Sequence, residues 1–195
     1  MFEKIIARTA SALKRRKIPY MIIGGQAVLL YGSPRLTKDI DITLGVGTEK
    51  LPLLEDSIKE AALEAVPEDP AGFAARTFVL PAKDKKSGIR VDFIFSFTPY
   101  ERLAISRARD VRLAGSKVKF ASVEDVVIHK IFAGRPRDIE DARSVLVKNP
   151  DCDTAYIRKW LGEFDRAAEG RKFRRLFSDI LKSIRGTQAP YNPRK

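Results

Sequence analysis

Residues 24–44 of this 195-residue chain read GGQAVLLYGSPRLTKDIDITL, the most informative stretch of the sequence. The alternation of polar and apolar residues over positions 39–44 predicts a β-strand. Because successive side chains of a strand point to opposite faces, Asp39 and Asp41 share one face and the apolar residues share the other. The pattern therefore predicts a strand with one buried face and two neighbouring carboxylates.

The carboxylate pair predicts a cation site. Two negative charges beside a buried strand are costly unless a cation lies between them. Mg²⁺ fits this position, because proteins hold it with one or two carboxylates together with the phosphates of a substrate. The competing interpretation is an ordinary amphipathic strand whose aspartates face solvent.

Three features near the pair favour the cation site. Gly24 and Gly25 lie where an apolar strand gives way to a helix, and backbone N–H groups at such a turn bind phosphate. Arg35 and Lys38 place positive charge just before the carboxylates. Asp92 lies in a later apolar segment that predicts another strand. Together these residues suit a complex of a metal ion with a nucleoside triphosphate.

This ordered set of motifs resembles the nucleotidyltransferase superfamily that includes DNA polymerase beta. The longer string over residues 24–42 resembles its small bacterial and archaeal members of the abortive-infection type (AbiEii-like toxins and their relatives). Their pattern is a glycine pair, an alanine-containing helix and then Arg-x-Thr-x-Asp-hydrophobic-Asp. The matching positions are Gly24, Gly25, Ala27, Arg35, Thr37, Asp39 and Asp41. The resemblance implies an α/β (α+β) nucleotidyltransferase fold, with a mixed central sheet flanked by helices and a C-terminal helical part.

The resemblance also assigns roles to individual residues. Asp39, Asp41 and Asp92 would be the catalytic carboxylates and the ligands of Mg²⁺, with two ions expected about 3.5–4 Å apart. Asp92 would lie nearest the acceptor hydroxyl that attacks the α-phosphate of a nucleoside triphosphate. The backbone N–H groups of Gly24 and Gly25 would contact the triphosphate.

Other charged residues receive less specific roles. Arg35 and Lys38 are candidates for phosphate contact, with solvated charges beside a turn as the alternative. By resemblance, Lys130 would contact the triphosphate and Asp138 would orient an active-site base. The alternative for the region around Asp138 is a solvated helix with charge pairs three residues apart.

The charge of the chain favours a polyanionic partner. The net charge is +12, and residues 166–195 hold nine lysines and arginines against Glu169 and Asp179, a net of +7. Because neutralised phosphates drive nonspecific nucleic-acid binding, this distribution favours an RNA acceptor such as tRNA. The alternatives are simple solubility or the charged surface of a thermophilic protein.

Several functions are compatible with these features. The leading prediction is Mg²⁺-dependent nucleotidyl transfer to RNA by a toxin-like enzyme, with an antitoxin on another chain as its partner. The alternatives are transfer to a small hydroxylated molecule such as an aminoglycoside, transfer to a protein hydroxyl, and a noncatalytic nucleic-acid-binding relative. The sequence leaves the nucleotide, the acceptor and the oligomeric state open.

The composition of the chain predicts its cellular location, and residues that interrupt helices and strands predict its domain layout. No apolar run reaches the length of about 18 residues that a membrane span needs, no signal peptide is recognisable, and Cys152 is the single cysteine; a cytoplasmic protein is expected.

A helix is expected over residues 51–66 and a strand over residues 76–80. The catalytic domain is predicted in residues 1–120. Residues 121–195 are predicted to form a helical region. Its basic tail is predicted to be disordered from residue 187.

Overall fold

The computed structural model of the chain describes residues 1–96, 98–168, 170 and 172–187. The chain divides into two compact units. Unit 1 comprises Met1–Leu30 and Arg35–Ser122, and unit 2 comprises Tyr31–Pro34 and Val123–Lys195. The assignment of a catalytic domain and a helical region on either side of residue 120 stays a prediction.

Within the described residues, unit 1 is built on one sheet of seven strands. The strands are β1 (Tyr20–Ile23), β2 (Asp39–Leu44), β3 (Leu63–Ala65), β4 (Val79–Asp84), β5 (Arg90–Phe95), β6 (Arg109–Leu113) and β7 (Ser116–Phe120). The helices are α1 (Phe2–Arg15), α2 (Gly24–Tyr31, whose last residue belongs to unit 2), α3 (Leu51–Glu60), α4 (Pro70–Thr77) and α5 (Pro99–Ser106). Thr48–Lys50 forms a short 3₁₀ turn.

The sheet is mixed in direction. Its strand order is β3-β4-β5-β2-β1-β7-β6. β2 runs parallel to β5 and β1 runs parallel to β7, whereas the other neighbouring pairs of this sheet are antiparallel. The mixed central sheet flanked by helices that the sequence predicts is confirmed.

The two faces of the central strands differ as the alternation predicts. Ile40, Ile42 and Phe93 are fully buried, and each such side chain contributes about 1.5–3 kcal/mol through the area it removes from water. Asp39 and Asp41 lie half-buried on the opposite face of β2. A shift of the strand by one residue would exchange the two faces, so the buried side chains fix where the carboxylates emerge.

Two predicted elements are wrong. The helix predicted over residues 51–66 ends at Glu60, because the chain turns at Ala62, with a φ of 52°, into the edge strand β3. The strand predicted over residues 76–80 begins only at Val79, since the preceding residues complete α4. Apart from Thr187, the predicted disordered tail lies outside the described residues.

Unit 2 is helical in the part that the structure describes. Its helices are α6 (Val123–Ala133), α7 (Pro136–Lys148), α8 (Thr154–Ala167) and α9 (Phe173–Thr187). Fully buried side chains from these four helices, among them Ile131, Val145, Leu161 and Phe177, form its core. No helix among the described residues combines the length and hydropathy needed to cross a membrane.

Candidate active site

Strands β2 and β5 place two of the predicted carboxylates side by side. In their parallel pairing, Asp41 lies opposite Asp92. Neighbouring strands are about 4.8 Å apart, so the two side chains leave the same face of the sheet as close neighbours. Asp39 leaves that face two residues earlier, and all three carboxylates are half-buried. The structure therefore brings the three predicted acidic residues onto one patch of the sheet, called the carboxylate face below.

The turn from β1 into α2 presses the backbone of Gly24 against Asp41. Gly24 has a φ of +63°, in the left-handed region that favours glycine. A Cβ atom at this position would lie 1.8 Å from Oδ2 of Asp41. The carboxylate thus occupies the space in which any other residue would carry its side chain. This contact places the start of α2, with its unpaired N–H groups, beside the carboxylate face.

Gly25 is restricted by a different neighbour. A Cβ atom there would lie 2.3 Å from Oγ1 of Thr37 and 3.3 Å from Nη2 of Arg35. The same hydroxyl of Thr37 donates to Oδ1 of Asp39 at 3.2 Å. The segment that precedes β2 is therefore packed onto the glycine turn, and it orients the first carboxylate.

The two predicted phosphate contacts differ in their surroundings. Arg35 is half-buried beside the glycine turn, and its Nη1 donates to the carbonyl of Leu36 at 3.0 Å. Lys38 is exposed. The roles of Arg35 and Lys38 in phosphate contact stay predictions.

Arg90 is a residue of this site that the sequence analysis missed. Its Nε donates to Oδ1 of Asp92 at 2.7 Å, and in the pairing of β2 with β5 it lies opposite Asp39. The hydrogen bond with Asp92 raises the pKa of Arg90; burial opposes this shift, and the charges of Asp92, Asp39 and Asp41 add to it. The signal that could have found Arg90 is its spacing, because residues two apart on a strand share a face.

The donor set suits Mg²⁺ by its chemistry, since this ion prefers hard carboxylate oxygens. However, the described residues contain no group of three His, Cys, Asp or Glu side chains arranged to hold a metal ion. Arg90 engages one oxygen of Asp92. Asp39 and Asp41 are therefore the pair best suited to hold one ion together with substrate phosphates. The assignment of three ligands and two ions stays a prediction.

In unit 2, Lys130 is the centre of a buried ion-pair cluster. Its Nζ lies 2.7 Å from Oδ1 of Asp138 and 2.9 Å from Oδ2 of Asp141. Lys130 is 9% exposed, and the two aspartates are 8% and 5% exposed. The ammonium group thus joins α6 to α7, while Oδ2 of Asp138 has no hydrogen-bond partner among the described residues. The predicted roles of Lys130 at the triphosphate and of Asp138 at a base stay predictions.

Solved structures with a similar fold are nucleotidyltransferases and their relatives. The antibiotic-resistance factor ANT(2'')-Ia in complex with adenylyl-2''-tobramycin has a TM-score of 0.58 and 19% identity, over 86% of this chain and 99% of that one. Its solution structure has a TM-score of 0.57 and 15% identity, over 95% and 96%. An antigenic nucleotidyltransferase-like protein from Paracoccidioides brasiliensis has a TM-score of 0.57 and 19% identity, over 92% and 91%. Similarity at these identities shows a shared fold.

Comparison of sequences identifies the family of the chain as well as its fold. No curated protein is significantly similar in sequence to the chain. Residues 2–173, which include the glycine turn and all three carboxylates, match the pattern of a single family. The chain therefore belongs to the family described as nucleotidyl transferase of unknown function (DUF2204), and it is a transferase that acts on nucleotidyl groups.

Proposed function

We propose that the chain is a cytoplasmic, Mg²⁺-dependent enzyme that transfers a nucleoside monophosphate from a nucleoside triphosphate to a hydroxyl group of RNA, such as a tRNA end. The observation that carries the proposal is the pairing of Asp41 with Asp92 beside the backbone of Gly24. This arrangement puts carboxylates next to a turn of the kind that binds phosphate. The resemblance to abortive-infection enzymes supports a toxin role with an antitoxin partner as part of the same proposal.

In this proposal, Asp39 and Asp41 would hold Mg²⁺, and the bound ion would supply neutralisation of the charge on the phosphates. The backbone N–H groups of Gly24 and Gly25 bind the triphosphate, at positions where a larger residue would collide with a neighbouring side chain. Arg35, half-buried beside the same turn, contributes positive charge to the phosphates. These residues bind and orient the nucleotide.

Asp92 acts on the acceptor. Its Oδ1 is held by Nε of Arg90, which leaves Oδ2 to accept the proton of the acceptor hydroxyl. As this proton leaves, the acceptor oxygen forms a bond to the α-phosphorus and the bond to pyrophosphate breaks. Arg90 is a positioning residue in this scheme, because it fixes the orientation of the carboxylate.

The surface of α9 supports RNA as the acceptor. Five exposed cations lie on this helix or immediately before it: Lys172, Arg174, Arg175, Lys182 and Arg185. Asp179 is the single acidic residue in the helix sequence. A row of cations on one helix is the expected footprint of a protein that binds a phosphate backbone, and the net charge of +12 acts in the same direction.

A small hydroxylated molecule is the second candidate acceptor. The similarity of the fold to ANT(2'')-Ia, which was solved with adenylyl-2''-tobramycin, favours this candidate. The positive charge of this chain argues against it for cationic acceptors, because like charges slow association. The two candidates therefore differ in the charge of the acceptor that they require.

Label transfer from each α-labelled nucleoside triphosphate distinguishes these acceptors. The enzyme is incubated with Mg²⁺ and, in separate reactions, with total RNA, total protein and an aminoglycoside mixture. Asp41→Asn is the site variant. Asp56→Asn is the matched control, because Asp56 is an exposed residue of α3 and the substitution removes the same charge.

Label on RNA that disappears in Asp41→Asn and persists in Asp56→Asn is the expected result. Label on the aminoglycoside would show that the acceptor is a small molecule and not RNA. Label on protein would establish protein nucleotidylation. Equal transfer by the parent and Asp41→Asn would contradict the proposed site. Absence of both transfer and nucleotide binding would contradict the proposed reaction.

A further inference from the structure

A basic cavity lies in unit 1, at the end of β1 that is remote from Gly24. Its volume is about 620 Å³, within the range of pockets that hold small ligands. Tyr20, the first residue of β1, lines the cavity, whereas Gly24 follows the last residue of that strand. At about 3.3 Å per residue, roughly 10–13 Å of strand separates the two. The cavity is therefore distinct from the carboxylate face.

Four lysines line this cavity, which we call the lysine pocket: Lys14, Lys17, Lys117 and Lys119. Asp110 is the acidic residue in its wall, and Oδ1 of Asp110 lies 3.1 Å from Nζ of Lys119. The other three lysines form no ion pair within the part of the chain that the structure describes. Three ammonium groups are therefore available to an anionic ligand.

The inner surface of the lysine pocket is apolar. Ile18 and Tyr20 are buried, and Ile105 is half-buried. The hydroxyl of Tyr20 accepts a hydrogen bond from the backbone N–H of Lys119 at 3.3 Å, and burial raises the pKa of this phenol, which is therefore neutral at pH 7. A complementary ligand combines an apolar part with negative charge at one end.

The backbone at Lys17 is left-handed. This residue follows α1 with a φ of +55°, in the left-handed conformation that glycine usually supplies at the end of a helix. A lysine in this conformation is less stable than glycine, because its Cβ atom crowds the carbonyl oxygen. Ala62 and Phe78, which follow α3 and α4, adopt the same left-handed conformation, so the backbone at Lys17 reflects how these helices end.

We propose that the lysine pocket binds a nucleotide unit, with its phosphate against the lysines and its base on the apolar surface. An RNA strand and a free nucleotide both offer this chemistry. None of the residues that line the pocket belongs to the carboxylate face, so the site does not depend on the proposed transfer reaction.

The test compares two double variants that remove the same charge. Lys17→Gln/Lys117→Gln alters the lysine pocket, and Lys50→Gln/Lys59→Gln removes two exposed lysines elsewhere in unit 1. Both are made in the full chain carrying Asp39→Asn and Asp41→Asn, two substitutions chosen to remove the proposed nucleotide binding at the carboxylate face. Fluorescence anisotropy measures the binding of a short, labelled single-stranded RNA over a range of salt concentrations.

We expect the pocket variant to bind RNA about tenfold more weakly, because two exposed phosphate contacts are lost. The slope of log K against log salt should fall by about 1.4, since each contact to a single strand contributes about 0.7. Equal losses in the two double variants would show an effect of net charge alone and would overturn the proposal.

Competition identifies the source of the nucleotide and tests the ligand class. Displacement of the RNA by AMP supports the site and assigns it to free nucleotides. Failure of AMP, together with weaker RNA binding by the pocket variant than by the control variant, assigns the site to a strand. Displacement by an oligoglutamate peptide as strong as that by RNA would overturn the nucleotide assignment, because such a peptide has charge without a base.

Lys17→Gly separates function from stability at one position. This variant should raise the melting temperature, because glycine adopts the observed backbone without strain, and it should weaken RNA binding. A variant that is more stable and binds RNA as well as the parent would contradict a role for Lys17 in the pocket.

Discussion

Oδ2 of Asp41 lies 1.8 Å from the position that a Cβ atom on Gly24 would occupy. The last residue before the glycine, Ile23, pairs with Asp41 across β1 and β2, so the two strands bring the turn and the carboxylate to the same point. The backbone of the turn and the side chain of Asp41 are therefore packed against each other. This packing limits which residue types position 24 and position 41 can hold.

Gly24→Ala is expected to lower the free energy of unfolding by about 2–4 kcal/mol and to abolish transfer, because the new methyl group collides with Asp41. Urea denaturation measures the loss. Gly88→Ala is the matched control: Gly88 has a φ of +71°, and no atom of the described residues lies within 4 Å of its Cβ position. It carries backbone strain alone, about 1 kcal/mol. Equal losses in the two variants would contradict the close approach of Gly24 to Asp41.

Thr37→Val is expected to lower kcat about fivefold, since a hydrogen bond worth about 1 kcal/mol to the first carboxylate is lost. The valine keeps the shape of threonine, so the contact with Gly25 and the melting temperature should change little. Thr37→Ser, which restores the hydroxyl, should recover most of the rate. A serine variant as slow as the valine variant would argue against the role of the hydroxyl bond to Asp39.

Arg90→Gln is expected to tighten the binding of Mg²⁺ about threefold to tenfold, because a positive charge beside Asp92 and opposite Asp39 is removed. Isothermal titration calorimetry with MgCl₂ measures this change without relying on activity. Lys59→Gln, on the exposed part of α3, removes an equal charge at a distance and should leave the affinity unchanged. Unchanged affinity in Arg90→Gln would show that the guanidinium does not compete with the ion.

Lys130→Met is expected to destabilise the protein by about 3–5 kcal/mol, since it leaves the carboxylates of Asp138 and Asp141 buried without a cation. Chemical denaturation of the free enzyme gives the value. Replacing all three residues by apolar ones of similar size should recover much of the loss. Full stability of Lys130→Met, with loss of nucleotide binding, would instead favour a role at the triphosphate.

Glu60 provides a test of pH dependence. Hydrogen bonds from Arg16 and Arg15 hold the pKa of this carboxyl below its ordinary value of 4.5. The pKa of Glu60 is lower in the folded protein than in the unfolded chain. The ion pairs of Glu60 therefore stabilise the fold fully at a pH above the unfolded-chain pKa, and this stabilisation is lost as the pH falls through the folded-state pKa. Glu60→Gln should therefore lower the free energy of unfolding at pH 7. The free energy of unfolding of this variant should also fall less steeply than that of the parent as the pH is lowered. Glu55→Gln, on the same helix, is the control that should keep the parent's slope.

The central strand and its faces were predictable because burial imposes a period of two residues on the sequence. Ile40 and Ile42 could only face the core, which left Asp39 and Asp41 on the other side. The mixed sheet and the similar solved structures confirm the predicted fold, and the family match shows the family. The roles of the carboxylates stay predictions, although the pairing of β2 with β5 brings them together.

The sequence analysis missed features whose local signals are weak or were overlooked. The short edge strand β3 follows α3 after a turn at Ala62, a residue type that carries no turn signal by itself. The helix α4 has a local start signal, because Asp69 caps it by accepting from the N–H of Gly72 and Pro70 is its first residue, but the helix is only 8 residues long. Arg90 could have been found from its spacing to Asp92, whereas its hydrogen bond is seen only in the folded strand.

The parallel pairing of β1 with β7 has a consequence for synthesis. Ile22 pairs with Phe120, and the two residues are separated by 98 positions in the chain. On the ribosome, β1 therefore emerges long before its parallel neighbour exists, and pairings of such long range form slowly. A nascent chain should acquire activity only after residue 120 has left the exit tunnel. Until then the unpaired side of β1 is an open edge that invites aggregation with other nascent chains.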